Sequence, residues 1–348
     1  MQYYHSPTVV ITGASAGVGR ATAIAFGQQG YKVGLIARSR EGLEGARADV
    51  EAVGSQALVL PADVADAQAV EQAAARAEQE LGPIDVWINS AMLTVLSPVA
   101  EMTPEEYRRV TEVTYLGYVH GTLAALRYMR PRNRGTIVQV GSALAYRAIP
   151  LQSAYCGAKF AIRGFTDSLR SELIHEGSHI RLTMVQLPAI NTPQFDWARN
   201  RMPKRPQPVP PIFQPEAAAQ AILQAAQTAP RELWVGRPAL MVILGNMLAP
   251  SLIDRKLAQQ GYSDQQANEP ADPNQEDNLY TPVPGKHRVH GRFDELAQPD
   301  TLQISSETVG KLLLASTVGL ALFTFLLGYT KGKKSDGKRI VDRRNMER

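Results

Sequence analysis

The sequence has 348 residues, 44% of them hydrophobic, which is enough for a sizeable core in one large domain or two. One cysteine, Cys156, excludes an intramolecular disulfide, and the N-terminus lacks a secretory signal pattern, so we expect a cytoplasmic main body. The net charge of +4 arises in residues 331–348, where eight Lys and Arg face three acidic residues; the other 330 residues sum to about −1, which argues against nucleic-acid binding.

A β-branched apolar run at residues 8–12 (TVVIT) leads into a turn with the pattern T-G-x-x-x-G-x-G, and a helical pattern follows. Glycines let the backbone approach a pyrophosphate closely, and a helix N-terminus favours its negative charge. Strand, turn and helix therefore predict a dinucleotide phosphate site, although the turn alone also suits a purely structural role. The candidate residues of this turn are Thr12, Gly13, Ser15, Gly17, Val18 and Gly19.

The second predicted strand (YKVGLIARS) ends where NAD-binding sites place an acid against the ribose 2′-hydroxyl. Ala37 stands there, followed by Arg38. An arginine can instead pair with a 2′-phosphate, so this position predicts NADP(H) rather than NAD(H). The alternative is that Arg38 is a solvated loop charge.

Helices and strands then alternate as far as residue 188. This alternation predicts an α/β fold: a Rossmann-like, doubly wound parallel sheet covered on both faces. Ligands of such sheets bind at the carboxyl ends of the strands. The residues at those ends are Gly13, Asp63, Asn89, Ser142 and Pro188.

Tyr155 and Lys159 lie four residues apart in a helical run, and therefore on one face of that helix. A free tyrosine has a pKa of about 10, and a lysine charge beside it favours the phenolate. Ser142 precedes Tyr155 by thirteen residues, and a turn between them would bring its hydroxyl to the phenol. The three residues predict proton transfer to a substrate oxygen, although a tyrosine four residues before a lysine also arises by chance.

These motifs, in this order, resemble the short-chain dehydrogenase/reductase family, and the predicted catalytic domain spans residues 6–262. The resemblance implies an NADP(H)-dependent oxidoreductase that interconverts an alcohol and a carbonyl. Tyr155 would be the catalytic acid/base, Lys159 would lower its pKa and hold the nicotinamide ribose, and Ser142 would orient the substrate oxygen.

The resemblance also assigns residues to the coenzyme. Asp63 and Val64 would lie at the adenine and Asn89 near the adenine-side ribose. Thr192, in the segment that starts at Pro188, would lie near the carboxamide.

The sequence departs from the family pattern at three sites. Residues 89–92 are Asn-Ser-Ala-Met instead of Asn-Asn-Ala-Gly, and Ala189 replaces the usual glycine after Pro188. Thr114 stands where the family has an asparagine that supports a proton-relay water, and we expect its hydroxyl to serve a modified relay. These departures leave an alternative function open, a catalytically weak nucleotide-binding scaffold or sensor.

Residues 193–215 are rich in proline and contain Phe195, Trp197 and Phe213. We expect a lid whose aromatic side chains cover an apolar substrate, the alternative being a surface connector. The apolar helix pair predicted at 239–261 is expected to pack in the core or in a subunit contact. A homo-oligomer is neither predicted nor excluded.

Residues 263–310 are polar and proline-bearing, which predicts a linker. Its His287 and His290 lack companion ligands, so no metal site is predicted. Residues 311–330 contain nineteen uncharged, mostly apolar residues, long enough for a transmembrane helix, with a buried or oligomerising helix as the alternative. We expect a membrane-anchored enzyme with its catalytic domain in the cytoplasm and a lipid-like substrate; the orientation of the basic tail, 331–348, stays open.

Overall fold

A computed structural model describes residues 6–285 and 287–315 of the protein. The chain divides into two compact units, residues 1–303 and 304–348. In the second unit, residues 306–315 are helical. The predicted membrane span at 311–330 lies outside the described residues from residue 316 onward, as does the whole basic tail.

No helix in the described part of the chain is long and apolar enough to cross a membrane. The anchor therefore stays a prediction.

Strands and helices alternate through the first half of the chain, as the sequence predicts. They are β1 (Thr8–Thr12), α1 (Gly17–Gln28), β2 (Lys32–Ala37), α2 (Arg40–Ala52), β3 (Ala57–Pro61), α3 (Ala67–Leu81), β4 (Ile84–Asn89), β5 (Val95–Leu96), α4 (Pro104–Thr111), α5 (Gly117–Met129) and β6 (Thr136–Ser142). A π-helical turn, Glu112–Leu116, joins α4 to α5.

The second half contains the remaining elements. They are α6 (Ser153–His175), β7 (Arg181–Leu187), β8 (Ala189–Ile190), α7 (Gln194–Trp197), β9 (Arg199–Asn200), β10 (Lys204–Pro206), β11 (Ile212–Phe213), α8 (Pro215–Thr228), β12 (Glu232–Val235), α9 (Gly236–Leu248), α10 (Pro250–Gln260), β13 (Gln266–Pro270), β14 (Ala297–Gln298) and β15 (Gln303–Ser305).

Seven parallel strands of the first unit form the main sheet, in the order β12-β7-β6-β4-β1-β2-β3. The strand order reverses at β1, which pairs with β2 on one side and β4 on the other. Ligands of doubly wound sheets bind at the carboxyl ends of the strands beside such a reversal. The predicted Rossmann-like fold is confirmed, and it brings the ends of β1, β2 and β4 together.

The sheet is buried on both faces because successive side chains of a strand point to opposite sides. Along β1, Val9 and Ile11 belong to one apolar cluster and Val10 to another. Among the helices that cover the two faces, α3 and α4 begin at side-chain caps: Asp66 accepts hydrogen bonds from two backbone amides at the start of α3, and Thr103 and Glu106 form a capping box on α4. The strand ends that carry the site are therefore set in a rigid frame.

The sequence predicts a linker at 263–310, but residues 263–303 pack on the catalytic domain. Strand β13 pairs with β10, and β14 pairs with β11. Leu279, Val283 and Phe293 are buried. The composition was misleading because polar side chains of this segment bond to the domain, as Arg292 does to Asp196 at 2.6 Å. We call residues 263–303 the extension.

Candidate active site

One cavity of about 780 Å³ runs along the carboxyl ends of the sheet strands. Its wall contains most of the residues that the sequence singles out, from the glycine turn to the catalytic tyrosine. They are Gly13, Ser15, Gly17, Val18, Gly19, Arg38, Asp63, Val64, Ser142, Tyr155, Lys159, Pro188 and Thr192. Thr12, Asn89 and Thr114 are not on the wall.

The glycine turn has the shape that a pyrophosphate requires. Gly13 and Gly17 have φ of +71° and +53°, which side-chain-bearing residues rarely adopt. A Cβ on Gly19 would lie 2.2 Å from the Gly13 carbonyl oxygen, so α1 can start against the turn only with glycine there. No side chain caps the N-terminus of α1. The turn and the helix N-terminus therefore fit the phosphates of a dinucleotide.

Thr12 and Asn89 support the site from behind. The Thr12 hydroxyl accepts hydrogen bonds from the amides of Ser90 (2.9 Å) and Ala91 (3.2 Å), which holds the turn after β4 against β1. Asn89 is fully buried, with its amide bonded to Trp87, Tyr118, Thr122 and Gln139. Interior partners take up the hydrogen-bonding groups of these two side chains, and the coenzyme contacts predicted for Thr12 and Asn89 stay predictions.

Asp63 and Val64 lie on the cavity wall as predicted. One Asp63 carboxylate oxygen accepts from the Ala65 amide at 3.0 Å, and the other pairs with Arg109 at 2.6 Å. Nothing in the sequence pattern indicated Arg109, because its partner is 46 residues away. The pair fixes the carboxylate at the end of β3.

Arg38 is not a solvated loop charge. It lies on the cavity wall, and its guanidinium donates to the carbonyl oxygens of Asn278 (2.5 Å), Leu279 (3.4 Å) and Tyr280 (2.9 Å) in the extension. Burial, and then the neighbouring Arg109, lower the pKa of Arg38. Arg38 therefore joins the end of β2 to the extension.

Tyr155 and Lys159 lie on α6, and Ser142 ends β6, so the tertiary fold unites the predicted catalytic residues. Burial raises the pKa of Tyr155 above its usual value of 10, and a hydrogen bond to Ser142 partly offsets this. The phenol therefore keeps its proton at neutral pH.

Lys159 is 2% exposed, and burial lowers its pKa to about 7. Its ammonium donates to the Val140 carbonyl (2.7 Å) and to the Tyr118 hydroxyl (3.1 Å), and it lies 5.5 Å from the centre of the Tyr155 ring. The expected lowering of the Tyr155 pKa is therefore not seen here, since desolvation acts on the phenol and on the ammonium alike.

Thr114 does not reach Lys159 by a hydrogen bond. Its buried hydroxyl accepts from the Leu93 amide (2.9 Å) and donates to the Leu93 carbonyl (3.1 Å), which ties the π-helical turn to the loop after β4. These bonds give the Thr114 side chain a structural role, and the relay role predicted for it stays a prediction. Tyr118, four residues after Thr114, contacts Lys159 instead. The only sequence signal for this contact is the spacing of four residues, which places Tyr118 on the same helix face as Thr114.

The lid contributes Phe195 and Trp197 to the cavity, together with the proline run 208–211. Phe213 does not line the cavity, because it lies in β11 and packs in the core. The helices α9 and α10, expected to pack in the core or at a subunit contact, supply much of the remaining wall. Their contributing residues are Pro238, Ala239, Met241, Val242, Gly245, Ile253, Lys256, Leu257 and Gln260.

The sequence model of the family described as short chain dehydrogenase matches residues 7–202. The chain belongs to the short chain dehydrogenase family. It is 34% identical over 281 residues to the uncharacterized oxidoreductase YxnA of Bacillus subtilis, which covers 80% of this chain and 79% of that protein. With 3-dehydrosphinganine reductase of Danio rerio it shares 30% identity over 226 residues, 63% of this chain and 68% of that protein.

Among solved structures, this short chain dehydrogenase is similar to an alcohol dehydrogenase from the archaeon Thermococcus sibiricus complexed with 5-hydroxy-NADP. The TM-score is 0.57 at 26% identity, and the match covers 66% of this chain and 95% of that one. The protein is thus an oxidoreductase that acts on an alcohol or a carbonyl, in a family whose coenzyme is NAD(P)(H).

Proposed function

We propose that this protein is an NADP(H)-dependent oxidoreductase that interconverts an alcohol and a carbonyl on an apolar, lipid-like substrate, with Tyr155 as acid/base. The observation that carries the proposal is that Ser142, Tyr155 and Lys159 share the wall of one cavity with the glycine turn. When bound, the coenzyme supplies or accepts the hydride.

Tyr155 handles the proton on the substrate oxygen. Because burial raises its pKa, the phenol carries a proton at neutral pH and can donate it to a carbonyl oxygen. Ser142 is hydrogen-bonded to the phenol, so its hydroxyl lies where it can hold the same oxygen. The protonated phenol is the form that carbonyl reduction requires, and alcohol oxidation requires the phenolate.

The choice of NADP(H) rests on the end of β2, where Ala37 and Arg38 replace the acid that suits a ribose 2′-hydroxyl. Ser39 caps α2 next to Arg38, which adds a helix N-terminus to the same corner. The solved relative from Thermococcus sibiricus holds an NADP analogue, which agrees with this choice.

The apolar substrate is inferred from the other end of the cavity. Phe195 and Trp197 of the lid face the same space as Met241 and Val242 of α9. Met241 is also 72% exposed, so apolar surface continues from the cavity to the outside. We further propose that residues 311–330 tether the enzyme to a membrane, which would bring it to lipid-dissolved carbonyls.

The test is to supply the full-length protein in detergent with NADPH or NADH and ketones of increasing chain length, and to follow the coenzyme absorbance. We expect turnover that improves with chain length, with NADPH preferred by about tenfold or more, since a charge-assisted phosphate contact contributes roughly 1.5–3 kcal/mol. Coenzyme binding with no turnover on any ketone would favour the scaffold function instead. A preference for NADH would remove the role given to Arg38.

A further inference from the structure

The extension contributes directly to the cavity that contains the glycine turn. Its contributing residues are Asp264, Asn278, Pro282, Val283 and His287. The core residues on the same wall include Ser15, Arg38, Ser39 and Asp63, which mark the adenosine end of a dinucleotide site. We call the described residues 278–285 and 287–288 the strap.

At the end of β2, core side chains hold the backbone of the strap. Arg38 donates to three successive carbonyl groups, of Asn278, Leu279 and Tyr280. Arg109, which pairs with Asp63, also donates from Nε to the Leu279 carbonyl at 3.0 Å. Two arginines of the core thus fasten the strap across the ends of β2 and β3.

The strap also reaches the glycine turn. The Gly17 amide, in the first turn of α1, donates to the Arg288 carbonyl at 3.0 Å. Arg20, one turn further along α1, donates to the His287 carbonyl at 3.0 Å. The strap therefore passes from the end of β3 to the N-terminus of α1, the length over which the adenosine half of a dinucleotide would lie.

Apolar packing and the lid anchor the strap. Leu279 is fully buried and belongs to the same apolar cluster as Val64 and Val110. The Asn278 amide donates to the Trp197 carbonyl of the lid at 2.9 Å, and Arg288 pairs with the lid residue Asp196 at 2.7 Å. Both ends of the strap are thus connected to the lid.

His287 has hydrogen-bonding capacity left over at this wall. Its Nε2 bonds to the Val283 carbonyl at 3.0 Å, whereas its Nδ1 is buried and, within residues 6–285 and 287–315, has no hydrogen-bond partner. The imidazole lies at the first turn of α2, where a Cβ on Gly42 would be 2.6 Å from His287 Cγ. A polar group of a bound coenzyme would satisfy this nitrogen.

We propose that the strap is the outer wall of the adenosine end of the coenzyme site, so that the dinucleotide is held between the short chain dehydrogenase core and the extension. This inference rests on the proposed coenzyme-dependent function. It follows that the coenzyme enters and leaves only when the strap moves away from α2 and the glycine turn.

The test closes the strap with a disulfide between Gly42→Cys and His287→Cys. Disulfides need Cβ atoms about 3.5–4.5 Å apart, and the contact of Gly42 with His287 Cγ brings the two positions within that reach. The native Cys156 is buried and does not compete. The reduced form of the same protein and the oxidised single variant His287→Cys are the controls.

Binding of NADPH and of NADH is followed by nicotinamide fluorescence, without substrate. If the disulfide is formed before coenzyme is added, we expect coenzyme association to slow by about tenfold or more. If it is formed after coenzyme has bound, we expect coenzyme dissociation to slow by a similar factor. Reduction of the disulfide should reverse both effects. Equal rates in the oxidised and reduced forms would overturn the inference. Release of bound coenzyme when the disulfide forms would also overturn the inference, because the strap would then occupy the coenzyme site instead of forming its outer wall.

A second variant loosens the strap without touching the cavity wall. Leu279→Ser should raise the coenzyme dissociation rate by about tenfold, because the strap loses its buried anchor and opens more often. The matched control is Leu296→Ser, at an extension residue that is 66% exposed. Equal dissociation rates in the two variants would contradict the inference and leave the proposed function standing. If the unmodified protein binds neither NADPH nor NADH, both the proposed function and the inference about the strap are wrong.

Discussion

Lys159 shows how a single buried charge sets the character of this site. Its described partners are a carbonyl, a phenol and two aromatic rings, at Val140, Tyr118 and Tyr155. Burial disfavours the ammonium, which lowers the pKa to about 7. Without coenzyme, the lysine is therefore half charged near neutrality.

This shift predicts a pH dependence of stability. Below the folded-state pKa of about 7 the ammonium is buried at a cost. Above it the unfolded state, with a pKa of about 10.4, binds more protons, so stability rises with pH. Between pH 7 and pH 9 the gain from this group is about 2 kcal/mol.

Thermal unfolding of the coenzyme-free protein at several pH values, compared with Lys159→Met, measures this contribution. The difference in stability between wild type and variant should change in favour of wild type as the pH rises. Lys256→Met, at an exposed lysine of the same cavity, should leave the wild-type pH dependence unchanged. If the stabilities of wild type and Lys159→Met change with pH in the same way, Lys159 stays charged over this pH range.

At the scale of elements, the join between β1 and α1 depends on glycines that nothing else can replace. The helix begins so close to the turn that a Cβ on Gly19 would lie 2.2 Å from the Gly13 carbonyl oxygen, which belongs to the backbone and cannot swing away. Gly157 on α6, between the catalytic tyrosine and lysine, has nothing within 4 Å of its Cβ position.

Gly19→Ala and Gly157→Ala therefore make a matched pair. The first should displace the turn and weaken coenzyme binding by about tenfold or more, because the phosphate-facing backbone shifts. The second should keep coenzyme affinity and raise stability by roughly 0.5–1 kcal/mol, as alanine suits a helix interior better. Fluorescence titration and thermal unfolding measure both; equal coenzyme affinity in the two variants would show that the turn does not bind phosphate.

For the whole molecule, local sequence patterns predicted the features that local geometry determines. The strand ends and the spacing of Tyr155 and Lys159 follow from periodicity, so the fold and the catalytic trio were predictable. The sequence patterns did not indicate that Asn89, Thr114 and Phe213 have interior partners that are distant in sequence. Periodicity contains no information about those partners.

The extension was missed for the same reason on a larger scale. Its polar composition is typical of a linker, yet its charges pair with the lid and its Leu279 fills a core position. Composition predicts disorder only when polar groups lack partners within the fold. Here the lid and the arginines of the core supply those partners.

A membrane tether would act on the whole molecule by changing its substrate supply. If residues 311–330 anchor the protein, the local enzyme concentration rises only for substrates dissolved in the bilayer. We expect a form truncated before Lys311 to lose activity selectively on a lipid-soluble ketone in liposomes and to match the full-length protein on a water-soluble one. Equal rates of the two forms on both ketones would show that the segment does not deliver substrate.

The most direct test of the central claim, that Tyr155 moves the proton in a coenzyme-dependent reduction, is the rate of NADPH oxidation by full-length Tyr155→Phe. We expect unchanged NADPH binding and a fall in ketone reduction of about 10²–10⁴-fold, the range that general acid catalysis contributes. Tyr262→Phe, at an exposed tyrosine, is the matched control and should match wild type. Wild-type turnover by Tyr155→Phe would show that Tyr155 does not move the proton.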